Sequence, residues 1–307
     1  DENVWKGQLG TDVEPPAFYG GRGTTAGGTD NAASFDIIDY VTIASLGNAA
    51  DFGDLVTARE MGGAGASNGP RGVMAGGGTS SNVMEYITFA TTGDTTDFGN
   101  LSVGRHAGPG GTSNGTRGVF GGGYESPAPY HSNVIDYVTI ATTGDAADFG
   151  NLTQVRNNGG SFNSDVRGCW FGGHLGSGSD VIDFVVLASL GDATDFGNMT
   201  AAAWGGIAGC SNTTRGLMAG GITPSYSDVI QYVTIASAGD AADFGDLTQA
   251  RQGVGGFSDG TKGVFVGDYH DSVTDVMDYV NVASLGDASD FGNLTDNRYS
   301  ISGMSGD

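Results

Sequence analysis

The sequence predicts an all-β fold, a six-bladed β-propeller with four antiparallel strands in each blade. Three observations predict it. Asp-Phe-Gly occurs six times, with phenylalanines at Phe52, Phe98, Phe149, Phe196, Phe244 and Phe291, 46 to 51 residues apart. A fixed period of that size marks an array of like supersecondary units. Within one copy, Arg117 to Arg156, the apolar runs are short, β-branched and aromatic, as strands are. Between the runs lie turn residues, such as SNG at Ser67 to Gly69 and at Ser113 to Gly115, which tolerate the backbone angles of tight hairpins. Four hairpin-linked strands, repeated six times, are the sequence form of a propeller.

Residues 1–14, DENVWKGQLGTDVE, stand outside the period and read as a tail or as the end of a preceding module. Pro15-Pro16 mark the boundary, and 15–307 form the propeller. The first copy begins at Ala17 and lacks the Gly-rich strand A of later copies, while the chain ends on just such a piece. The C-terminal strand, about Tyr299 to Ser305, is therefore expected to complete the first blade beside Ala17 to Tyr19, because an open ring leaves unpaired edges. Strand B ends in a double glycine, at Gly20-Gly21, Gly76-Gly77, Gly122-Gly123, Gly172-Gly173 and Gly220-Gly221, with Gly267-Asp268 in the sixth copy. Strand C, as in NVIDYVTIA, is apolar too continuously for one wet face. Strand D follows a Gly-Asp turn.

Because strands alternate in direction, the A–B and C–D turns share one face of the disc and the B–C and D–A loops share the other. The C–D turns repeat a pair of aspartates, Asp94 and Asp97, Asp145 and Asp148, Asp192 and Asp195, Asp240 and Asp243, Asp287 and Asp290. The B–C loops differ in length and content, from Arg22–Ser34 to GTSS, as loops that set specificity do. They hold Tyr124, Tyr130, His131, His174, Tyr226, Tyr269 and His270, the candidate ligand-binding residues. Such rings offer flat apolar area with polar edges, suited to sugars or proteins. The alternative is that they only cover the sheet ends.

The repeat also carries charge in pairs. An arginine stands where each strand A is expected to begin, and an acid precedes the aromatic of strand C: Arg298 with Asp39, Arg59 with Glu85, Arg105 with Asp136, Arg156 with Asp183, and Arg251 with Asp278. In the fifth copy Ala203 replaces the arginine, and there alone the acid becomes a neutral residue, Gln231. Joint loss of both partners points to an ion pair within a blade, reaching across the side-chain-free glycines of strand B. The other reading places the arginines at the channel mouth as a ligand site.

Twelve Lys and Arg against 35 Asp and Glu give a formal charge of −23, which disfavours nucleic acid and anionic membranes as partners. No apolar run approaches membrane-spanning length. Cys169 and Cys210 fall at non-equivalent places and read as buried free thiols. Acid pairs recurring in five copies do not read as a catalytic pair, which is needed once. The four histidines show no metal spacing, and Gly191–Asn198 lacks the ligand pattern of a calcium loop. No metal or cofactor is expected.

The double glycines, the strand-C aromatics Tyr40, Tyr86, Tyr137, Phe184, Tyr232 and Tyr279, the Phe of Asp-Phe-Gly and the repeat arginine resemble kelch repeats, over about residues 15 to 305. Phe stands where that family usually has Trp. The units DYVTIATTGDAADFGNL also resemble kelch-type repeats of phage virion proteins, marine ones included. That resemblance implies a non-enzymatic tail-fibre, adhesin or capsid-decoration protein, located in a virion or extracellularly. Its expected partners are other virion proteins or a host-surface glycan or protein, and a homo-oligomer is compatible with it. The alternative is a lectin or carbohydrate-active enzyme using the aromatic loop face.

Overall fold

The computed structural model describes residues 19–60, 65–106, 110–127 and 130–306. Their regular structure is strand throughout: six four-stranded antiparallel sheets, each innermost strand lying against those of the blades before and after it, so that the ring closes. The fourth blade shows the plan, with strands A to D at Gly160–Asn163, Arg167–Phe171, Ser179–Val186 and Thr194–Ala203. The apolar core lies between blades. Each of six clusters joins side chains of two neighbours, as Phe171, Ile182 and Phe196 join Met218 and Val233.

The ring is closed by the C-terminus, in a register different from the expected one. Ser302–Gly306 pairs antiparallel with Arg22–Ala26, Arg22 opposite Gly306 and Ala26 opposite Ser302. Arg22–Ala26 is therefore strand B of the first blade, not the start of a loop. Its terminal double glycine is Gly27-Gly28, both at positive φ, and not Gly20-Gly21. The B–C loop of this blade shortens accordingly. Gly20-Gly21 misled because a glycine pair stood near the start of the copy, whereas Arg-Gly-Thr-Thr-Ala matches Arg-Gly-Val-Met-Ala of the next copy better. Residues 17 and 18 lie outside the described residues. Tyr19 lies within the axial channel, its hydroxyl 3.5 Å from the Asn163 carbonyl and 3.4 Å from Ser211 Oγ.

Glycine sets how closely the blades approach. Along the axis Gly65, Gly111, Gly209, Gly256 and Gly303 sit at equivalent positions; a Cβ on Gly209 would lie 2.0 Å from the Ser161 carbonyl oxygen of the preceding blade. At the rim, strand D carries a β-bulge in every blade: Ile135 opposes Gly150, Asp136 opposes Asp148, and Phe149 is the extra residue. Bulges re-aim side chains, and this one turns each Asp-Phe-Gly phenylalanine edge-on to the strand-C aromatic, as Phe149 meets Tyr137 at 5.9 Å. The following glycine has φ near +150° and receives the next blade's turn. A Cβ on Gly53 would stand 2.4 Å from the carbonyl of Gly93.

Three polar systems stitch the blades. In the first, the C–D turn aspartate accepts the N–H of the residue after Asp-Phe-Gly in the preceding blade, as Asp145 accepts from Asn100 and Asp192 from Asn151, both at 2.9 Å. Asn48 serves in the first blade. These aspartates hold a neighbour's backbone. In the second, the cation opening strand B (Arg22, Arg71, Arg117, Arg167, Arg215 or Lys262) lies over the strand-C aromatic of its own blade. It also donates to a carbonyl of the next blade, as Arg117 does to Leu187 at 3.0 Å. The sequence reading missed this ring of cations, although Arg-Gly heads five of the B strands and Lys-Gly the sixth.

The third system is the five ion pairs: Arg59–Glu85 at 3.1 Å, Arg105–Asp136 and Arg156–Asp183 at 2.6 Å, Arg251–Asp278 at 2.9 Å and Arg298–Asp39 at 2.8 Å, all buried. They join blades and do not lie within one, which is a correction. Arg156 and Arg251 are the last residues of a strand D, and the A strands begin later. The Arg156 carbonyl accepts from Gly123 of its own blade, while its side chain enters the next blade, donating to the Gly172 and Val181 carbonyls and to Asp183. Burial lowers the pKa of Arg105, Arg156 and Arg298 against the opposing pull of their carboxylates, and raises that of Asp183 despite Arg156. Buried and paired in this way, the arginines do not form a ligand site at the channel mouth.

Cys169 and Cys210 are free and buried, and burial pushes both thiols up.

Candidate binding face

The D–A crossovers run over one end of the axial channel and bond to one another. Gly206 donates to the Asn158 carbonyl, Gly253 to that of Gly205, and Ser300 to that of Gly253. This backbone chain holds a shallow cavity of about 320 Å3 at the channel mouth. All six crossovers line it, with Glu60, His106, Asn158, Trp204, Gln252 and Tyr299.

Outside this inner set lie the residues that follow the double glycines. Backbone bridges link His106 with Tyr124, Asn157 with His174, Trp204 with Ile222, Gln252 with Tyr269, and Tyr299 with Thr29. The candidate residues read from the sequence thus fall on this face, in two arcs. In one, Tyr124 contacts His106 (4.7 Å between centroids), Tyr130 (5.6 Å) and His131 (5.8 Å); His131 meets His174 at 5.7 Å, and His174 meets Trp204 at 5.2 Å. In the other, Tyr226 contacts His270 (4.8 Å) and Tyr269 (6.2 Å), and Tyr269 meets Tyr299 at 4.9 Å. Tyr130 is half exposed and Trp204 more than a third exposed, whereas the strand aromatics of the core are covered.

Sequence reasoning missed His106, Trp204 and Tyr299, which join these arcs to the mouth. A signal was available. The residue after the repeat arginine, or after Ala203, is Glu60, His106, Asn157, Trp204, Gln252 or Tyr299, different in every copy. A position that never repeats, beside one that almost always does, is not set by the frame.

The face has little positive charge to offer. Lys6 lies outside the described residues; the other eleven lysines and arginines are all committed to the two stitching systems. Burial lowers the pKa of His106, and burial together with the nearby His174 lowers that of His131, so both are neutral above the ordinary histidine range. His270 Nδ1 lies 3.4 Å from the Asp271 carboxylate. Among the described residues no group of three or more His, Cys, Asp and Glu side chains is placed to hold a metal.

No family model matches the chain, and no curated protein matches it.

Proposed function

We propose that this protein is a non-enzymatic recognition module: a rigid kelch-like propeller that binds a surface partner through its B–C and D–A loop face. The carrying observation is the split between the two faces. One presents the same stitched turn around the ring, Gly-Asp in five blades and Gly-Asn in the first. The other gathers non-repeating tyrosine, histidine and tryptophan side chains around a common mouth. Repetition fits a frame, and departure from it fits selection for contact. The resemblance of the repeats to those of phage virion proteins supports display on a virion or outside a cell, as a tail fibre, adhesin or capsid decoration. The partner is then a host-surface molecule or a neighbouring subunit.

A binding assay on host cells or particles tests the face. Tyr130→Ala with His131→Ala is expected to weaken attachment without altering thermal unfolding. Attachment that survives these changes and is lost on changing Asp145 and Asp148 would move the binding face to the other side.

A further inference from the structure

We infer that the channel mouth on the loop face binds one uncharged sugar residue, the end of a neutral glycan; this rests on the loop face being the recognition face. The argument begins with the crossover position that differs in all six copies. Its occupants are two large aromatics (Trp204, Tyr299), two carboxamides (Asn157, Gln252), an imidazole (His106) and a carboxylate (Glu60). At the cavity itself Asn158 stands for the third crossover. A pyranose ring has an apolar C–H face and a rim of hydroxyls that both donate and accept. Aromatic faces suit the first; carboxamide, imidazole and carboxylate edges suit the second.

Geometry adds to composition. Trp204 is exposed at the mouth, while Trp170, whose Nε1 donates to the Gly110 carbonyl, is sealed inside. Gln252 lies over Gly205, where a Cβ would come within 2.4 Å of Gln252 Oε1, so glycine makes room for the carboxamide. The mouth is held by the backbone chain through Asn158, Gly205, Gly206, Gly253 and Ser300, so little ordering is needed on binding. Its volume of about 320 Å3 stands at the small end of the roughly 300–1,000 Å3 typical of small-molecule sites. That suits a glycan terminus better than a long segment.

Charge decides between glycan classes. Sialylated, uronic and sulfated sugars bring an anion that calls for a basic partner. Here the described lysines and arginines are committed to inter-blade contacts, and Glu60 faces the cavity. A quaternary ammonium would need several aromatic faces closed around one point. Instead the rings pack against one another in two arcs, as His174 tilts against Trp204 at 51° and Tyr269 against Tyr299 at 36°.

The test is a glycan array carrying neutral termini (galactose, glucose, mannose and N-acetylhexosamines) beside sialylated and sulfated forms, probed with the full chain and with Trp204→Ala, Gln252→Ala and Tyr130→Ala. Neutral termini should bind, and Trp204→Ala and Gln252→Ala should each weaken binding about tenfold, the equivalent of ~1.4 kcal/mol. Gln252→Ala removes a partly buried carboxamide from a short crossover outside the apolar core, so it reads the site even if Trp204→Ala disturbs folding. Binding only to anionic termini, neutral binding unchanged by both mouth variants, or no binding to any terminus would overturn the sugar assignment. In those cases, cell or particle attachment still sensitive to Tyr130→Ala leaves the loop face standing. Attachment insensitive to every loop-face variant removes that reading as well.

Discussion

Five junctions between blades carry a buried arginine–carboxylate pair, and the junction into the fifth blade carries Ala203 opposite Gln231. The neutral junction is not a damaged copy. Gln231 Oε1 accepts the N–H of Thr200 at 2.6 Å, the bond that Asp278 and Asp39 accept from Thr248 and Thr295 at 3.1 Å elsewhere. Ala203 joins an apolar cluster with Ile207 and Met199, and Ile207 lies against Gly221 as Ile301 lies against Gly28 in the junction that keeps Arg298. The charge has gone as a unit. A buried pair gains little over an apolar replacement, but half a pair is costly. The fourth crossover, at this same junction, is also the one that places Trp204 at the mouth, so the junction that departs from the frame also serves the proposed site.

Restoring half of the pair gives the largest expected effect. Ala203→Arg, with Gln231 unchanged, buries a guanidinium with no carboxylate opposite it and should destabilise the ring by about 3–5 kcal/mol. Adding Gln231→Asp should recover part of this in denaturant unfolding. No recovery would mean that apolar filling, and not charge, separates the two kinds of junction.

A second variation concerns the junction into the second blade, where Val56 replaces the Ser or Thr that elsewhere donates to the acid. Ser102 Oγ donates to Asp136 at 2.5 Å, and Thr248 to Asp278 at 2.7 Å. Here Thr95, which is alanine in the other copies, donates to Glu85 Oε2 at 2.8 Å, and the acid is one methylene longer. Thr95→Ala should cost about 1–3 kcal/mol by leaving a buried carboxylate oxygen unpaired. The triple change with Val56→Thr and Glu85→Asp should return most of it, as calorimetry would show.

The smallest effect lies at the rim. Asp54 and Asp246 replace the asparagine of the other copies. Their carboxyls are pushed up by desolvation first, then by neighbouring carboxylates, Asp36 and Asp94 for Asp54, and Asp228 and Asp287 for Asp246. A raised acid stabilises the fold when protonated and loses that contribution as pH rises through its folded value. Asp54→Asn and Asp246→Asn should therefore each raise the Tm on the order of 1 °C at neutral pH. The gain should vanish below the ordinary aspartate value of 3.8. A Tm unchanged at neutral pH would show that repulsion at the rim is fully screened.

Much of this was legible in the sequence, because repetition multiplies every signal. Six copies of Asp-Phe-Gly reveal the blades, and the joint exception at Ala203 and Gln231 reveals that two distant positions meet. Adjacency of blades was harder to read. A repeat compared with its neighbour shows which positions vary together, but not whether the partner lies in the same unit or the next. The first copy was misaligned because a second glycine pair preceded strand B. Of the site, the tyrosines and histidines of the B–C loops were legible as unusual. Trp204, His106 and Tyr299 were not, since single residues in short crossovers gain meaning only when the ring brings six crossovers to one mouth.

The claim that the arginine and the acid act as one unit across the junction is tested most directly by a double-mutant cycle on Arg156→Ala and Asp183→Gln, which together recreate the fifth-blade arrangement. Denaturant unfolding should show each single change costing about 3–5 kcal/mol and the double change less than either. Additive losses would contradict it, and would mean that the two side chains contribute separately to a frame held by other contacts.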